Sequence, residues 1–297
     1  MASAPVLLLG CGRWGRNILR DLASLGRSVI VVDPSEQARE LAAPLARSTH
    51  ADLKFEERFA GVIVATPATH HVAAIESVAR WETPIFVEKP LATCIRDAER
   101  ALALAGDRLF VMDKWRYHPG VEALAALAAS GEFGPVRALR TWRLGLSHGH
   151  DDVDPIWTLL PHDLAIVRDI LGSLPVAMNA IAERADGRLL GIEARLGTDP
   201  MCVLEISSGR PQRRRRVEVL FATAVAVFDD ARDAAIEIRS EEGVRKIAVS
   251  NDAPLRREIE AFLKYLDGGA PPKSSARDGV EMVRRIAELR ALAGLDG

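Results

Sequence analysis

The sequence predicts an α/β chain in which a doubly wound parallel sheet is followed by an α+β domain with a large, mainly antiparallel, open-faced sheet. Three observations predict it. Short apolar runs alternate with helical patterns as far as Met112. A glycine-rich turn, Gly10-Cys11-Gly12-Arg13-Trp14-Gly15, separates the first run from the first helix. Beyond Gly134, strand candidates follow closely on one another, which favours antiparallel pairing.

Val6 to Leu9 is apolar without alternation, as in a strand buried on both faces, and the helix after the glycine turn carries Ile18, Leu19, Leu22 and Leu25. A second run, Val29 to Val32, ends in Asp33-Pro34-Ser35 and leads into a helix through Leu41 and Leu45. The pattern recurs with strands at Val62 to Ala65, Ile85 to Val87 and Leu109 to Met112, and helices at Thr69 to Ala79 and Ile95 to Ala105. Right-handed crossovers place the C-terminal ends of such strands along one edge, where ligands of open α/β sheets bind. The turns at Gly10, Asp33, Thr66 and Glu88 share that edge.

After Trp115 the texture changes, so residues 1–115 are assigned to the first domain and 116–297 to the second. A helix spans Gly120 to Ala129, a turn runs from Gly131 to Pro135, and the Arg213 to Arg216 run falls just before a strand candidate, Val217 to Phe221. His162 is read as the first residue of a helix ending at Leu171. Two helices close the chain, Leu255 to Leu266 and Ala276 to Ala293, and are placed to pack back toward the domain join.

At 297 residues and 48% hydrophobic, the chain can bury the cores of two domains. Its 39 basic and 41 acidic side chains leave a formal charge of −2, which excludes a global attraction to nucleic acid or anionic lipid and favours a small-molecule partner. No apolar run approaches the roughly 18 residues of a membrane span. The start lacks the basic segment and longer apolar run of a secretory signal, so a cytoplasmic location is expected. Cys11, Cys94 and Cys202 are widely spaced and form no zinc pattern.

In the glycine turn, Gly10 permits the tight bend, Gly12 lets a pyrophosphate approach the backbone, and Gly15 lets the helix pack against the strand. The helix N-terminus then presents unpaired N–H groups to an anion. Asp33 stands 23 positions after Gly10, where a carboxylate can accept from both hydroxyls of an adenosine ribose. Asp33 also reads as a helix N-cap, a role that Ser35 can fill as well. Together these features point to a Rossmann domain holding a nicotinamide dinucleotide through Gly10, Gly12, Arg13, Trp14, Gly15 and Asp33. A carboxylate at that position repels a ribose phosphate, so NAD is expected over NADP, and Arg39 does not overturn this.

With Ala65-Thr66-Pro67 after one strand and Glu88-Lys89-Pro90 after the next, the chain resembles the glucose–fructose oxidoreductase, inositol dehydrogenase and rhizopine-catabolism (Gfo/Idh/MocA) family. The likeness continues through Arg116-Tyr117-His118-Pro119, the turn from Gly131 to Val136, Pro161-His162-Asp163 and the terminal helices, nearly the whole chain. The Trp14-Gly15 pair and the segment from Asp154 to Asp163 look most like the nucleotide-sugar 3-dehydrogenase branch.

The resemblance implies an NAD-dependent oxidoreductase that moves a hydride between the nicotinamide and a hydroxyl or keto carbon of a sugar, nucleotide sugar or cyclic polyol. It assigns Lys89 to the substrate hydroxyl and the nicotinamide, with Thr66, Pro67 and Glu88 beside the cofactor and a cis peptide before Pro90 aiming the lysine. Desolvation and a neighbouring cation would disfavour the charged form of such a lysine and suit it to carrying a proton. The competing reading is a surface lysine paired with Glu88. His162 matches the family's histidine acid/base, against a packing or capping role.

Many relatives have a carboxylate four residues before that histidine; here the position is Thr158. The resulting options are that Lys89 and His162 suffice, that Asp154 or Asp163 substitutes, or that chemistry is weakened and the protein is a dinucleotide-binding sensor or regulatory protein. A hydride-transfer enzyme for imines or tetrapyrroles is a third reading. Arg116, Tyr117, Trp157, Thr158 and His162 are the expected substrate contacts. His148 and His150, with Asp151, Asp152 and Asp154, suggest a metal site at first sight but read better as a solvated loop, so no metal is expected. The arginine run reads as a protected edge strand whose alternation splits it two and two. A homodimer or homotetramer is expected, built on the second domain's sheet as in relatives.

Overall fold

The computed structural model describes residues 4–54, 57–146, 152–230 and 234–295. The chain divides into two compact units, Met1–Asp113 with Leu255–Val283, and Lys114–Pro254 with Arg284–Gly297. The terminal helices are thus shared between the units, whereas the sequence reading placed them in the second domain.

The first unit is built on β1 (Val6–Leu9), α1 (Gly15–Ser24), β2 (Val29–Val32), α2 (Glu36–Ala42), β3 (Ser48–His50), β4 (Gly61–Val64), α3 (His71–Ala79), β5 (Ile85–Glu88), α4 (Ile95–Ala105) and β6 (Leu109–Met112). All strand pairs are parallel, in the order β3-β2-β1-β4-β5-β6. Every strand but β3 is buried along its whole length, which is why these segments read as continuous apolar runs. The order reverses between β1 and β4, and a crevice at such a point is where open α/β sheets bind ligands.

The second unit contains α5 (Pro119–Ser130), β7 (Val136–Leu146), α6 (Pro155–Leu171), β8 (Ala177–Ala185), β9 (Arg188–Leu196), β10 (Met201–Ser207), β11 (Gly209–Phe221), β12 (Ala224–Asp229), β13 (Ala235–Ser240) and β14 (Gly243–Ala248). Its eight strands run in the order β14-β13-β12-β11-β7-β10-β9-β8, with β7 and β10 the single parallel pair. Leu139, Cys202, Leu204, Ile206, Val217 and Val219 fill the inner face, against which α6 packs. On the opposite face, Arg140, Trp142, Glu193, Arg195 and Glu205 line a shallow polar groove.

Two local expectations are corrected. β11 is not an edge strand, because β7 pairs it on one side from Arg214 onward and β12 on the other from Arg216 onward. The alternation itself does separate the run: Arg214 and Arg216 lie over the Trp142 ring at 4.5 and 5.7 Å, while Arg215 reaches the carbonyls of Leu144 and Arg214. Burial, then the nearby Arg143 and Arg213 cations, lowers the Arg215 pKa to about 10. The second correction concerns α6, which begins at Pro155 rather than His162. Asp154 caps it by accepting from the Ile156 and Trp157 amides, so Pro161 sits inside the helix, where it removes the bond its missing N–H would have made and crowds the carbonyl four residues back.

Helix α7 (Pro254–Leu266) returns to the first unit, where Phe262 stacks on Phe86 with ring centroids 4.8 Å apart and Tyr265 meets Phe110 edge-on at 5.0 Å. Helix α8 (Ala276–Leu292) closes the described fold. Among the described residues, no helix is long and apolar enough to cross a membrane.

Candidate active site

The glycine turn leads from β1 into α1. A Cβ at Gly10 would lie 2.7 Å from the Ala65 carbonyl oxygen, and its φ of +86° is a conformation that disfavours any side chain. A Cβ at Gly15 would lie 2.4 Å from the Gly10 carbonyl oxygen. Gly12 differs, since a Cβ there would meet nothing within 4 Å and its φ is outside the left-handed region. The chain itself gives no steric reason for glycine at this position; an anion resting on the turn would.

At the end of β2, the buried Asp33 carboxylate accepts from the Cys11 amide at 2.7 Å and the Ser35 amide at 2.8 Å. These bonds hold the carboxylate between the first two turns, and each oxygen retains a lone pair for a ribose hydroxyl. Ser35, not Asp33, caps α2 by accepting from the Ala38 amide. Arg39 Nη1 donates to the Asp33 and Pro34 carbonyls, each at 2.8 Å. Burial, reinforced by the Asp33 charge, pushes the Cys11 thiol up to about 11.

Beyond β4, the Thr66 hydroxyl is buried with no hydrogen-bond partner among the described residues. The buried His71 ring links the neighbouring turns, with Nδ1 2.8 Å from the Pro90 carbonyl and Nε2 3.0 Å from the Thr66 carbonyl. At the end of β5, Glu88 Oε1 accepts from the Trp14 indole and Oε2 accepts from the Lys89 amide at 3.2 Å. The Lys89–Pro90 bond is cis, and Lys89 itself is half-buried. An open cradle at Gly12, a fixed carboxylate at Asp33 and an unsatisfied hydroxyl at Thr66 fit the pyrophosphate and hydroxyls of a dinucleotide.

In the second unit, His162 lies in the middle of α6, its ring 6.5 Å from that of Trp115. Trp115 stacks on His118 at 4.9 Å and carries the Arg143 guanidinium over its face at 4.3 Å. Arg143 in turn donates to Asp163 at 2.5 Å, with both side chains buried. His118 Nε2 lies 3.2 Å from Asp230, and that contact holds the Asp230 carboxyl below the usual carboxylate range. Thr158 donates to the Asp154 carbonyl at 3.2 Å, one turn back along α6. Asp154 is itself paired with Arg290 at 2.5 Å, and the Arg290 guanidinium lies 5.6 Å from the buried Trp157 ring. Arg116 pairs with Asp169 at 2.6 Å, and Tyr117 is buried beside it in sequence.

Residues 5–110 match the family model described as an oxidoreductase family with an NAD-binding Rossmann fold, named for Gfo, Idh and MocA. Residues 5–110 thus carry the NAD-binding Rossmann fold of that oxidoreductase family. It is 25% identical over 266 residues to an inositol 2-dehydrogenase from Rhizobium meliloti, covering 78% of this chain and 80% of that protein. Its fold is shared with an oxidoreductase from Agrobacterium radiobacter solved with NAD+, L-tartaric acid and magnesium, at TM-score 0.86 and 16% identity over 98% of this chain and 96% of that one. It is shared equally with a UDP-N-acetylglucosamine 3-dehydrogenase from Acidithiobacillus ferrooxidans, at TM-score 0.85 and 22% identity over 99% of both chains.

The first unit brings together the turns carrying Gly10, Gly12, Arg13, Trp14, Gly15, Asp33, Thr66, Pro67, Glu88 and Lys89 along one sheet edge. The second unit carries Trp157, Thr158 and His162 on α6, and Arg116 and Tyr117 on the turn before α5. The framework roles of Trp115 and Arg143 were not read from the sequence, and Asp163, weighed there as a substitute base, is instead the buried partner of Arg143. Strand alternation in β7 was the available signal for Arg143, since it falls in phase with Leu139 and Thr141 on the inner face. The His148 and His150 loop lies outside the described residues, and no cluster of metal-ligating side chains occurs among the described ones.

Proposed function

We propose that this protein is an NAD-dependent dehydrogenase acting on a CH–OH carbon of a sugar, nucleotide-linked sugar or cyclic polyol. The observation that carries the reading is the pairing of the open cradle at Gly12 with the Asp33 carboxylate, held at the end of β2 by two backbone amides. Bound nicotinamide supplies the hydride acceptor or donor. The turn from Gly10 to Gly15, including the Arg13 and Trp14 backbone, receives the pyrophosphate, and Thr66 and Pro67 border the nicotinamide side. Lys89 and His162 move the proton of the substrate hydroxyl, and Arg116, Tyr117, Trp157 and Thr158 contribute substrate contacts or the walls behind them.

The Asp33 charge favours NAD over NADP, because it accepts ribose hydroxyls and repels a phosphate in their place. Arg39 is tethered to the Asp33 and Pro34 carbonyls and is the counterweight at this site. The inositol 2-dehydrogenase relative supports a CH–OH substrate, while the Trp14-Gly15 and Asp154-to-Asp163 motifs favour a nucleotide-linked sugar. The mixed charges of the open sheet face, Arg140, Glu193, Arg195 and Glu205, support pairing with a second copy into a homodimer or homotetramer. Light scattering that returns a monomer removes that assembly.

The test is a titration with NADH and NADPH, followed by an absorbance screen at the nicotinamide band against nucleotide sugars, inositols and aldoses. Tighter binding of NADH with turnover of one class is the expected result. Binding without turnover on a broad alcohol panel overturns the enzymatic assignment, and tighter NADPH binding overturns the cofactor assignment.

A further inference from the structure

We propose that Trp14 is a positioning residue for Lys89, acting through the Glu88 carboxylate. The inference rests on the reading of Lys89 as a proton carrier. One carboxylate serves two donors: Glu88 Oε1 accepts from the Trp14 indole N–H, and Oε2 accepts from the Lys89 backbone amide at 3.2 Å. Glu88 is only 8% exposed, and a buried carboxylate requires such donors to remain where it is.

The sheet order makes this contact more than local. β4 lies between β1 and β5, so an indole at the start of α1 that bonds a residue at the end of β5 spans the C-terminal end of β4. It thereby joins the two halves of the sheet across the point where strand order reverses. The same tripeptide is held from another direction, because His71 contacts the Pro90 carbonyl at 2.8 Å and the Thr66 carbonyl at 3.0 Å. Lys89 is therefore flanked by two residues whose polar atoms are anchored, Glu88 by Trp14 and Pro90 by His71.

Among aromatic side chains, phenylalanine could supply the packing that the partly buried Trp14 ring makes against the core, but not the N–H. Removing that donor leaves Glu88 Oε1 buried without it. The carboxylate is then held less firmly, and the bond to the Lys89 amide loosens with it. Reacting groups misplaced by about 1 Å lose on the order of a hundredfold in rate, so the loss belongs in kcat rather than in cofactor affinity.

The experiment compares Trp14→Phe, Glu88→Gln, the double variant and Lys89→Ala, measuring kcat, its pH profile, NADH Kd and thermal midpoint. The expected result is an inactive Lys89→Ala, with Trp14→Phe at least about tenfold lower in kcat while NADH Kd stays within about threefold. The pH limb governed by the proton carrier should shift in Trp14→Phe and Glu88→Gln alike. The double variant should fall no lower than Glu88→Gln, as required of two residues acting in series. If Lys89→Ala is inactive but Trp14→Phe keeps its kcat and pH profile, or loses NADH affinity in proportion to kcat, the positioning role is overturned. Additive losses in the double variant overturn it as well. If Trp14→Phe does not fold, Glu88→Gln decides alone: an unshifted pH limb sinks the proposal. Full activity in Lys89→Ala is a separate failure, that of the lysine's own assignment.

Discussion

Replacing Gly12 with alanine separates a ligand requirement from a folding requirement. The new Cβ meets no atom of the chain within 4 Å, and the backbone there is outside the left-handed region. Alanine loses less backbone freedom on folding, so a compatible Gly→Ala change stabilises by about 0.4–1 kcal/mol. For a protein of this size that raises Tm by roughly 1–3 °C. The same methyl occupies the surface where a pyrophosphate would rest, so NADH Kd should rise at least about tenfold, equivalent to about 1.4 kcal/mol. Gly15→Ala is the control of opposite sign, because its Cβ would lie 2.4 Å from the Gly10 carbonyl oxygen. It should lower Tm through about 1–3 kcal/mol of overpacking. The paired assay is thermal unfolding without ligand and fluorescence titration with NADH. A Gly12→Ala protein that binds NADH as wild type does would refute the cradle, and with it the placement of the pyrophosphate over this turn.

Three further outcomes are expected. Arg143→Met should destabilise by about 3–5 kcal/mol, since it strands the buried Asp163 carboxylate; joint replacement with Asp163→Leu should recover much of that loss in chemical denaturation, and an Arg143→Met protein as stable as wild type sinks the argument. In native protein at pH 8, mass spectrometry after iodoacetamide should find Cys94 labelled first, because burial raises Cys11 to about 11 and Cys202 to about 12; rapid labelling of either buried thiol contradicts this. The Asp230 pKa is lowered on folding, first by the His118 hydrogen bond, so its stabilisation is present above the unfolded carboxylate pKa and is lost as pH falls through the folded value. Asp230→Asn should accordingly lower Tm at neutral pH and flatten the acid side of the Tm–pH curve, whereas a parallel curve would remove the linkage.

The parallel sheet was legible because both faces of its strands are buried, which writes each one as an uninterrupted apolar run. β3 was not, since Ser48-Thr49-His50 is polar, only half-buried and on the edge of the sheet. Pro161 misled the reading of α6 because a proline commonly marks a boundary; the stronger signal lay earlier, in Asp154 followed by Pro155 at the first helical position. The arginine run was placed on an edge strand because charge protects edges, yet aromatic stacking on Trp142 and bonds to carbonyls accommodate it at the start of the paired part of an interior strand. Single residues at the turns could be read from spacing. Pairs joined by tertiary structure could not: Trp14 with Glu88 are 74 positions apart and Arg143 with Asp163 are 20 apart, so each needs the sheet order or register to bring its members together.

Thr158 raised the question of which group could take the place of a carboxylate one turn before His162. Two acids stand close by in sequence, and the structure commits both. Asp154 caps α6 through two amides and bonds Arg290, and Asp163 is buried against Arg143. Releasing either would leave a buried or largely buried guanidinium without its partner, which is strongly destabilising. Thr158 itself donates to the Asp154 carbonyl, so its hydroxyl oxygen faces the helix interior as donor and retains only acceptor capacity for other groups. These commitments support the proposed option in which Lys89 and His162 handle the proton without a further carboxylate. Asp163 contributes through the Arg143 pair and the Trp115 face on which that guanidinium rests, supporting the helix that carries His162.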